Sequence, residues 1–139
     1  MQRGFTLIEL LVVMVVMAIA MATVALAMPS GDTEQAEREE ARLLWTVSEA
    51  HAAAQRHRTT LTVVRLPNSR GYEVLHVPPS LAQEPWAQMH DCGCSLARLD
   101  AQNPAEPLRI EPDALLPHFQ WRLDVKSTTR IVEHPSHAL

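Results

Sequence analysis

An apolar segment with a single charge begins the chain and constrains the fold more than any other feature. From Phe5 to Met28 the only charged residue is Glu9. The segment is about as long as the roughly 20 residues with which a helix crosses a bilayer. A carboxylate in such a helix costs on the order of 2 to 3 kcal/mol on insertion scales and usually serves a function. We therefore predict a membrane-spanning helix over residues 5–28 in which Glu9 has a specific role, although a carboxylate so close to the helix start could also snorkel to the interface.

Three kinds of N-terminal segment fit parts of this pattern. A secretory signal peptide would use Arg3 as its charged region and residues 25–27, Ala-Leu-Ala, as its cleavage site before Met28. Its apolar region would normally be only about 7 to 15 residues long. A plain single-pass anchor explains the length of the segment but assigns no role to Gly4 or Glu9.

The third kind is indicated by a resemblance. The sequence Gly4-Phe5-Thr6-Leu7-Ile8-Glu9 resembles the N-terminal signal of type IV pilins and pseudopilins, in which a short basic leader ends in glycine. The resemblance implies that residues 1–4 are a leader, that a prepilin peptidase cuts between Gly4 and Phe5, and that the new amino group of Phe5 is methylated. It also implies that Glu9 recognises the N-terminus of a neighbouring subunit during assembly, where that amino group would stabilise the carboxylate in a medium of low dielectric constant.

Charge asymmetry predicts the orientation of the chain in the membrane. Arg3 precedes the apolar segment and an acidic stretch follows it, so the positive-inside rule places the N-terminus in the bacterial cytoplasm and residues 29–139 in the periplasm as one head domain. The net charge of −4, without a block of basic residues, argues against a nucleic-acid partner.

A second helix is predicted where the head begins. Pro29 and Gly31 interrupt the first helix, and Asp32 followed by Gln35 resembles a capping box for a new one. Over 32–57 an apolar stripe recurs at helical spacing. Its members are Leu43, Val47, Ala50 and Ala54, flanked by Ala36, Leu44 and His51. We interpret the acidic residues of the other faces as a solvated surface, with contact to a basic partner subunit as the alternative.

After the second helix the pattern changes to the two-residue period of strands. The β-favouring residues 59–66 and 72–77 flank Pro67–Gly71, which predicts a hairpin with Gly71 at a positive φ.

Two further strands are predicted near the C-terminus. Apolar and polar residues alternate over 119–125, as in a half-buried strand, and 127–132 can form an edge strand before the chain frays. The prolines of 78–117 predict long loops with one short strand at 108–111. The predicted fold is α+β and type IV pilin-like, a long hydrophobic N-terminal helix followed by a small antiparallel β-sheet head.

The order of the second helix and the hairpin provides a second resemblance. Ala41-Arg42-Leu43-Leu44, continuing through Ala50 and Ala54, resembles the H-type minor pseudopilins (GspH) of type II secretion systems and the related FimT-type minor pilins. It implies a structural subunit, not an enzyme, near the tip of a periplasmic pseudopilus that drives protein export. The implied partners are other pseudopilins, prepilin peptidase, the inner-membrane assembly platform, and secreted substrates or the outer-membrane channel. The alternative is a minor pilin of a type IV pilus, acting in pilus biogenesis or DNA uptake, which should carry a basic or aromatic patch; Arg56 and Arg58 are the nearest candidates.

Cys92 and Cys94, the two cysteines of the chain, follow His90 closely. In an oxidising periplasm a local disulfide is the favoured prediction. The ring it closes is tight, and we expect the Cα atoms near the outer limit of about 7 Å. Free or intermolecular thiols are one alternative. A metal bound by His90 and two thiolates is the other, but the sequence shows no fourth ligand.

No residue pattern predicts catalysis or a cofactor. The remaining histidines are scattered, and a Ser/His/Asp spacing or phosphate-binding glycine loop is not evident. His134 and His137 are expected in a solvated tail, with adventitious metal binding as the alternative. Trp45, Trp86 and Trp121 are interpreted as core or interface anchors.

Overall fold

A computed structural model describes residues 4–28, 31–67 and 70–134 of the chain. The chain divides into two compact units, residues 1–30 and 31–139. The predicted helix break at Pro29 and the tail histidine His137 lie outside the described residues.

The first unit is a single helix, α1, which spans Leu7–Ala27. Thr6 precedes it in an extended conformation (φ −74°, ψ 148°), and Met28 follows it in another (φ −75°, ψ 123°). An α-helix satisfies its backbone hydrogen bonds internally, which is why an apolar segment of this length adopts it in a medium without water.

The second unit begins with helix α2, which spans Gly31–His57. The predicted apolar stripe is confirmed, because Leu43, Ala50 and Ala54 are fully buried in the head. The helix ends where Arg58 adopts a left-handed conformation (φ 51°), which is a common way to terminate a helix.

Asp32 was predicted to cap the start of the second helix. Asp32 lies inside the helix rather than before it. Its carboxylate accepts a hydrogen bond from the Ser127 hydroxyl at 2.9 Å and lies 3.4 Å from Lys126 Nζ. Asp32 therefore connects the first turn of α2 to the β-sheet part of the head.

Seven strands follow in the described part of the chain. They are β1 Leu61–Arg65, β2 Gly71–Leu75, β3 His90–Asp91, β4 Ser95–Arg98, β5 Leu108–Ile110, β6 Phe119–Val125 and β7 Thr128–His134. One antiparallel sheet has the order β3-β2-β1-β5, and a second has the order β4-β6-β7. This succession of N-terminal helix and antiparallel sheets confirms the predicted α+β, pilin-like architecture.

The predicted hairpin forms between β1 and β2, with Val63 opposite Val74 and Arg65 opposite Tyr72. The positive φ predicted for Gly71 is confirmed, at 158°. A Cβ at this position would lie 1.9 Å from the carbonyl oxygen of His90. Gly71 is therefore needed both for its positive φ and for the close approach of β3.

The second sheet is built around β6, whose alternation is confirmed. Phe119, Trp121, Leu123 and Val125 are all buried. The strand β7 follows through a tight turn at Lys126 (φ 51°) and lies at the edge of its sheet, as predicted.

The prediction for residues 78–117 was only partly right. The short strand near 108–111 is confirmed as β5. The expected loops also contain two short 3-10 turns, at Pro79–Leu81 and Pro85–Ala87, and the strands β3 and β4. A strand as short as β3 lacks the repeat from which a period can be identified.

Candidate functional site

The surface of α1 is apolar on every side. No residue of the helix is buried, and Phe5 and Leu7 just before and at its start are 80% and 87% exposed. Among the described residues, α1 provides the one segment that is long and apolar enough to cross a membrane. A helix that is hydrophobic all round requires lipid or other protein around it. The helix and the motif together fit a membrane-anchored subunit.

The predicted cleavage site lies just outside this helix. Gly4 and Phe5 precede the first helical residue and are exposed. A peptidase requires an accessible, extended segment, and a peptide bond held inside a helix would be protected. The structure therefore places the Gly4–Phe5 bond in a segment that an enzyme can reach.

Glu9 lies in the first turn of α1. Its amide donates to the carbonyl oxygen of Thr6 at 3.0 Å, so it belongs to the helix while its side chain is exposed. Phe5 lies two residues before the helix, whereas Glu9 is its third residue. The positive end of the helix dipole favours a carboxylate here. Among the described residues, no side chain forms an ion pair with Glu9.

The second cluster of interest lies in the head, around the two cysteines. The Cα atoms of Cys92 and Cys94 are 5.1 Å apart, and the two sulfur atoms are bonded. The expected separation of about 7 Å was wrong. Gly93 adopts φ 63°, and this left-handed residue turns the chain sharply enough to bring its neighbours together.

Glu39 of α2 joins this cluster and was not identified from the sequence. Its Oε2 atom lies 2.6 Å from Nε2 of His90, and both side chains are mostly buried, with 16% and 18% exposure. Ligand atoms of Glu39, His90 and Cys92 all lie within 4.8 Å of one another. Glu39 and His90 are far apart in sequence, so only the packing of α2 against β3 reveals the pair.

The acidic face of α2 also contacts cations of the head itself. Arg130 on β7 lies 3.6 Å from Glu37 and forms a second, closer ion pair with Glu40. Asp32 forms an ion pair with Lys126. The hydrogen bond from Ser127 and the contact with Lys126 together lower the pKa of the Asp32 carboxyl. The acidic face of α2 is thus solvated at Glu34 and Glu37, and part of it pairs with cations of the same head.

Most basic side chains of the head are paired in the same way. Arg58, one of the two residues considered for a basic patch, contacts Asp113. Eight basic side chains in the described part of the chain lie within 4.0 Å of a carboxylate: Arg38, Arg58, Arg70, Arg98, Arg109, Arg122, Lys126 and Arg130. Positive charge is thus dispersed and locally neutralised.

The histidine and the tryptophans for which the sequence predicted a location lie apart from these clusters. His134 belongs to β7 and stacks on Phe119, with ring centroids 5.8 Å apart, so its assignment to a solvated tail was wrong. Trp86 and Trp121 are buried in the core, whereas Trp45 on α2 is 42% exposed.

Comparison with known proteins identifies the N-terminal segment. The family model described as "Prokaryotic N-terminal methylation motif" matches residues 1–25. No curated protein and no solved structure matches the chain significantly. The matched segment contains the Gly4–Phe5 bond and Glu9, and the α+β architecture fits the same class. The motif and the fold indicate a type IV pilin-like protein. The motif further indicates processing by a prepilin peptidase and assembly with other pilin subunits.

Proposed function

We propose that the chain is a minor pseudopilin, a structural subunit of the periplasmic pseudopilus that drives protein export through a type II secretion system. It acts as an assembly component without enzymatic activity. Its head lies in the periplasm, its N-terminus starts on the cytoplasmic side of the inner membrane, and its place is near the tip of the fibre.

The observation that carries this proposal is the apolar helix α1 with one carboxylate, Glu9, that has no ion-pair partner in the part of the chain that the structure describes. Lipid covers the apolar surface before assembly, and neighbouring α1 helices bury it in a fibre. Lipid cannot satisfy the charge of Glu9, and a charged side chain in a membrane helix is stabilised by a partner of opposite charge. The methylated amino group of a neighbour's Phe5 supplies that partner, and the pairing fixes the axial stagger of adjacent subunits.

Two observations favour secretion over piliation and DNA uptake. The resemblance of α2 and the hairpin that follows it to H-type minor pseudopilins supports the secretion assignment. The pairing of basic side chains with carboxylates supports it as well, because a DNA-binding surface needs cations free to contact phosphates. Arg58 contacts Asp113, and the net charge of the chain is −4.

The first test is the mass and N-terminal sequence of the protein recovered from membranes. With a co-expressed prepilin peptidase, the chain should begin at an N-methylated Phe5; without the peptidase it should keep Met1. A chain that begins at Met28 in both cases would be a secreted product of signal peptidase, and the pseudopilin proposal would fail.

The second test concerns Glu9. Glu9→Gln keeps the size of the side chain and removes its charge, so the variant should be cleaved and inserted but should enter fibres poorly. Thr23→Val is the matched control within α1. The Thr23 hydroxyl already donates to the carbonyl of Ala20 at 2.8 Å, so it is not needed between subunits. Normal assembly of Glu9→Gln would show that the charge has no role.

The third test distinguishes the two machines. Deletion of the chain in its host should leave secreted proteins in the periplasm and leave surface pili and DNA uptake intact. Loss of pili with normal secretion would assign the chain to the type IV pilus instead.

A further inference from the structure

We propose that the head contains a zinc site, formed by Glu39, His90 and the thiolates of Cys92 and Cys94 when the disulfide is reduced. Carboxylate, imidazole and thiolate are the ligand types that Zn²⁺ accepts in proteins. The site is independent of the assembly function of α1.

Three of the four ligand atoms are already gathered, and the fourth, Cys94 Sγ, is bonded to one of them, Cys92 Sγ. Glu39 Oε2 lies 2.6 Å from His90 Nε2, and Cys92 Sγ lies within 4.8 Å of both groups. Ligands bound to zinc at about 2.0 to 2.3 Å in a tetrahedron lie between about 3 and 4 Å apart, so small side-chain rotations suffice. The Glu39–His90 contact would give way to two bonds to the metal.

The fourth ligand that the sequence lacked is supplied by α2. The His90-Asp91-Cys92-Gly93-Cys94 segment offers one nitrogen and two sulfurs, and Glu39 adds an oxygen from a helix packed against it. Cys94 is buried, with 1% exposure, and the Glu39 and His90 side chains are mostly covered as well. A closed set of four protein ligands is typical of a structural zinc site and not of a catalytic one.

Metal binding and the disulfide exclude one another. A dithiol reductant transfers two electrons and two protons to the Cys92–Cys94 bond, which yields two thiols and an oxidised, cyclic reductant. Each thiol then loses its proton on binding the metal, because thiolate is the ligand form. An oxidised, cyclic disulfide reagent can take two electrons from the two thiolates and two protons from water as it becomes a dithiol, and the Cys92–Cys94 bond that re-forms removes both sulfur ligands and releases the ion.

The two states connect different parts of the head. The disulfide joins residues two positions apart and adds only a local constraint. Zinc would join Glu39 of α2 to His90, 51 positions away. A link that closes a long loop removes more conformational entropy from the unfolded chain than one that closes a short loop. The reduced, zinc-bound head should therefore hold β3 against α2 more firmly than the oxidised head does.

The test uses the full untagged chain in detergent micelles. The chain is reduced with dithiothreitol, and the reductant is removed without oxygen before Zn²⁺ is added. Bound zinc is counted by elemental analysis, and affinity is measured by competition with a chelator. Co²⁺ replaces Zn²⁺ in a parallel sample, where a thiolate-to-cobalt charge-transfer band reports sulfur ligation. We expect one zinc per reduced chain and none per disulfide-bonded chain.

Four variants locate the site. Glu39→Gln and His90→Ala each remove one ligand and should lower zinc affinity at least about 10-fold, the lower range seen even for loss of groups that only support ligands. Glu34→Gln on an exposed part of α2 and His57→Ala at its exposed end are the matched controls and should bind zinc like the wild type. The proposal fails if the reduced wild type binds no zinc, if the disulfide-bonded chain binds it equally, or if all four variants bind alike, which would assign the ion to histidines elsewhere.

Discussion

Replacement of Gly71 by alanine tests the packing of β3 directly. An alanine Cβ would lie 1.9 Å from the carbonyl oxygen of His90, whereas ordinary contacts begin at 3.4 Å. The strands would have to separate by about 1.5 Å, more than the hydrogen bonds that pair β2 with β3 can tolerate. Loss of roughly two backbone hydrogen bonds at about 1 kcal/mol each, and of a ring contact between Tyr72 and His90 worth about 0.5 to 1 kcal/mol, gives a destabilisation of about 2 to 3 kcal/mol.

Thermal unfolding of the full chain in detergent measures this loss. Fluorescence of the buried Trp86 and Trp121 reports the head without interference from α1. A domain of this size loses roughly 4 °C of Tm per kcal/mol, so Gly71→Ala should unfold roughly 10 °C below the wild type. Gly31→Ala is the control, since a Cβ there meets no atom within 4 Å, and its Tm should change little. If Gly71→Ala unfolds within about 2 °C of the wild type, β3 does not approach β2 as described.

Three further predictions concern the head. Leu43→Ala creates a cavity at a fully buried position on α2 and should lower the free energy of unfolding by about 2 to 5 kcal/mol in urea titrations. A loss under about 1 kcal/mol would contradict the assignment of Leu43 to the core. Tyr72→Phe removes a buried hydroxyl that has no hydrogen bond of regular geometry among the described residues, with Thr46 and Arg42 as the polar side chains near it. Urea titration should show unchanged or higher stability, and a clear loss would show that Thr46 or Arg42 bonds the hydroxyl. Burial alone would raise the pKa of Asp100, but the Arg98 guanidinium and the backbone hydrogen bonds from Gln120 and Asp100 together outweigh it and hold that pKa below its usual range. The resulting stabilisation is complete above the unfolded pKa of about 4 and is lost as pH falls through the folded pKa. Asp100→Asn should therefore be less stable than the wild type at neutral pH, and the two stabilities should converge below about pH 4. A stability difference that stays constant across this pH range would exclude the linkage.

The sequence was sufficient to predict those elements in which the periodic pattern of apolar residues lies within a single helix or strand. The alternation of β6 and the stripe of α2 were predicted from the sequence because each repeats over several residues of one element. The strand β7 extended beyond its predicted end to His134, since its length depends on pairing with Phe119 across the sheet. Element ends are decided by partners, and the sequence of a single strand does not contain its partner.

The cysteine cluster shows the same limit in a functional site. The order His90-Asp91-Cys92-Gly93-Cys94 identified candidate ligands, but it predicted a wider Cα separation than the 5.1 Å observed. The left-handed conformation of Gly93 brings the cysteines together, and the packing of α2 against β3 brings Glu39 to His90.

The sequence by itself determined the N-terminal part of this protein. The Gly4–Phe5 bond, the apolar helix and Glu9 all belong to one short segment of the chain. The proposed cleavage and assembly groups are therefore close together without contact with another element, and the helix orders its own residues. Only the tertiary structure decided which acidic residues of α2 meet which cations, and that Glu39 meets His90. Those contacts join residues 51 or more positions apart, and they exist only because burial of the apolar stripe holds α2 against the sheets.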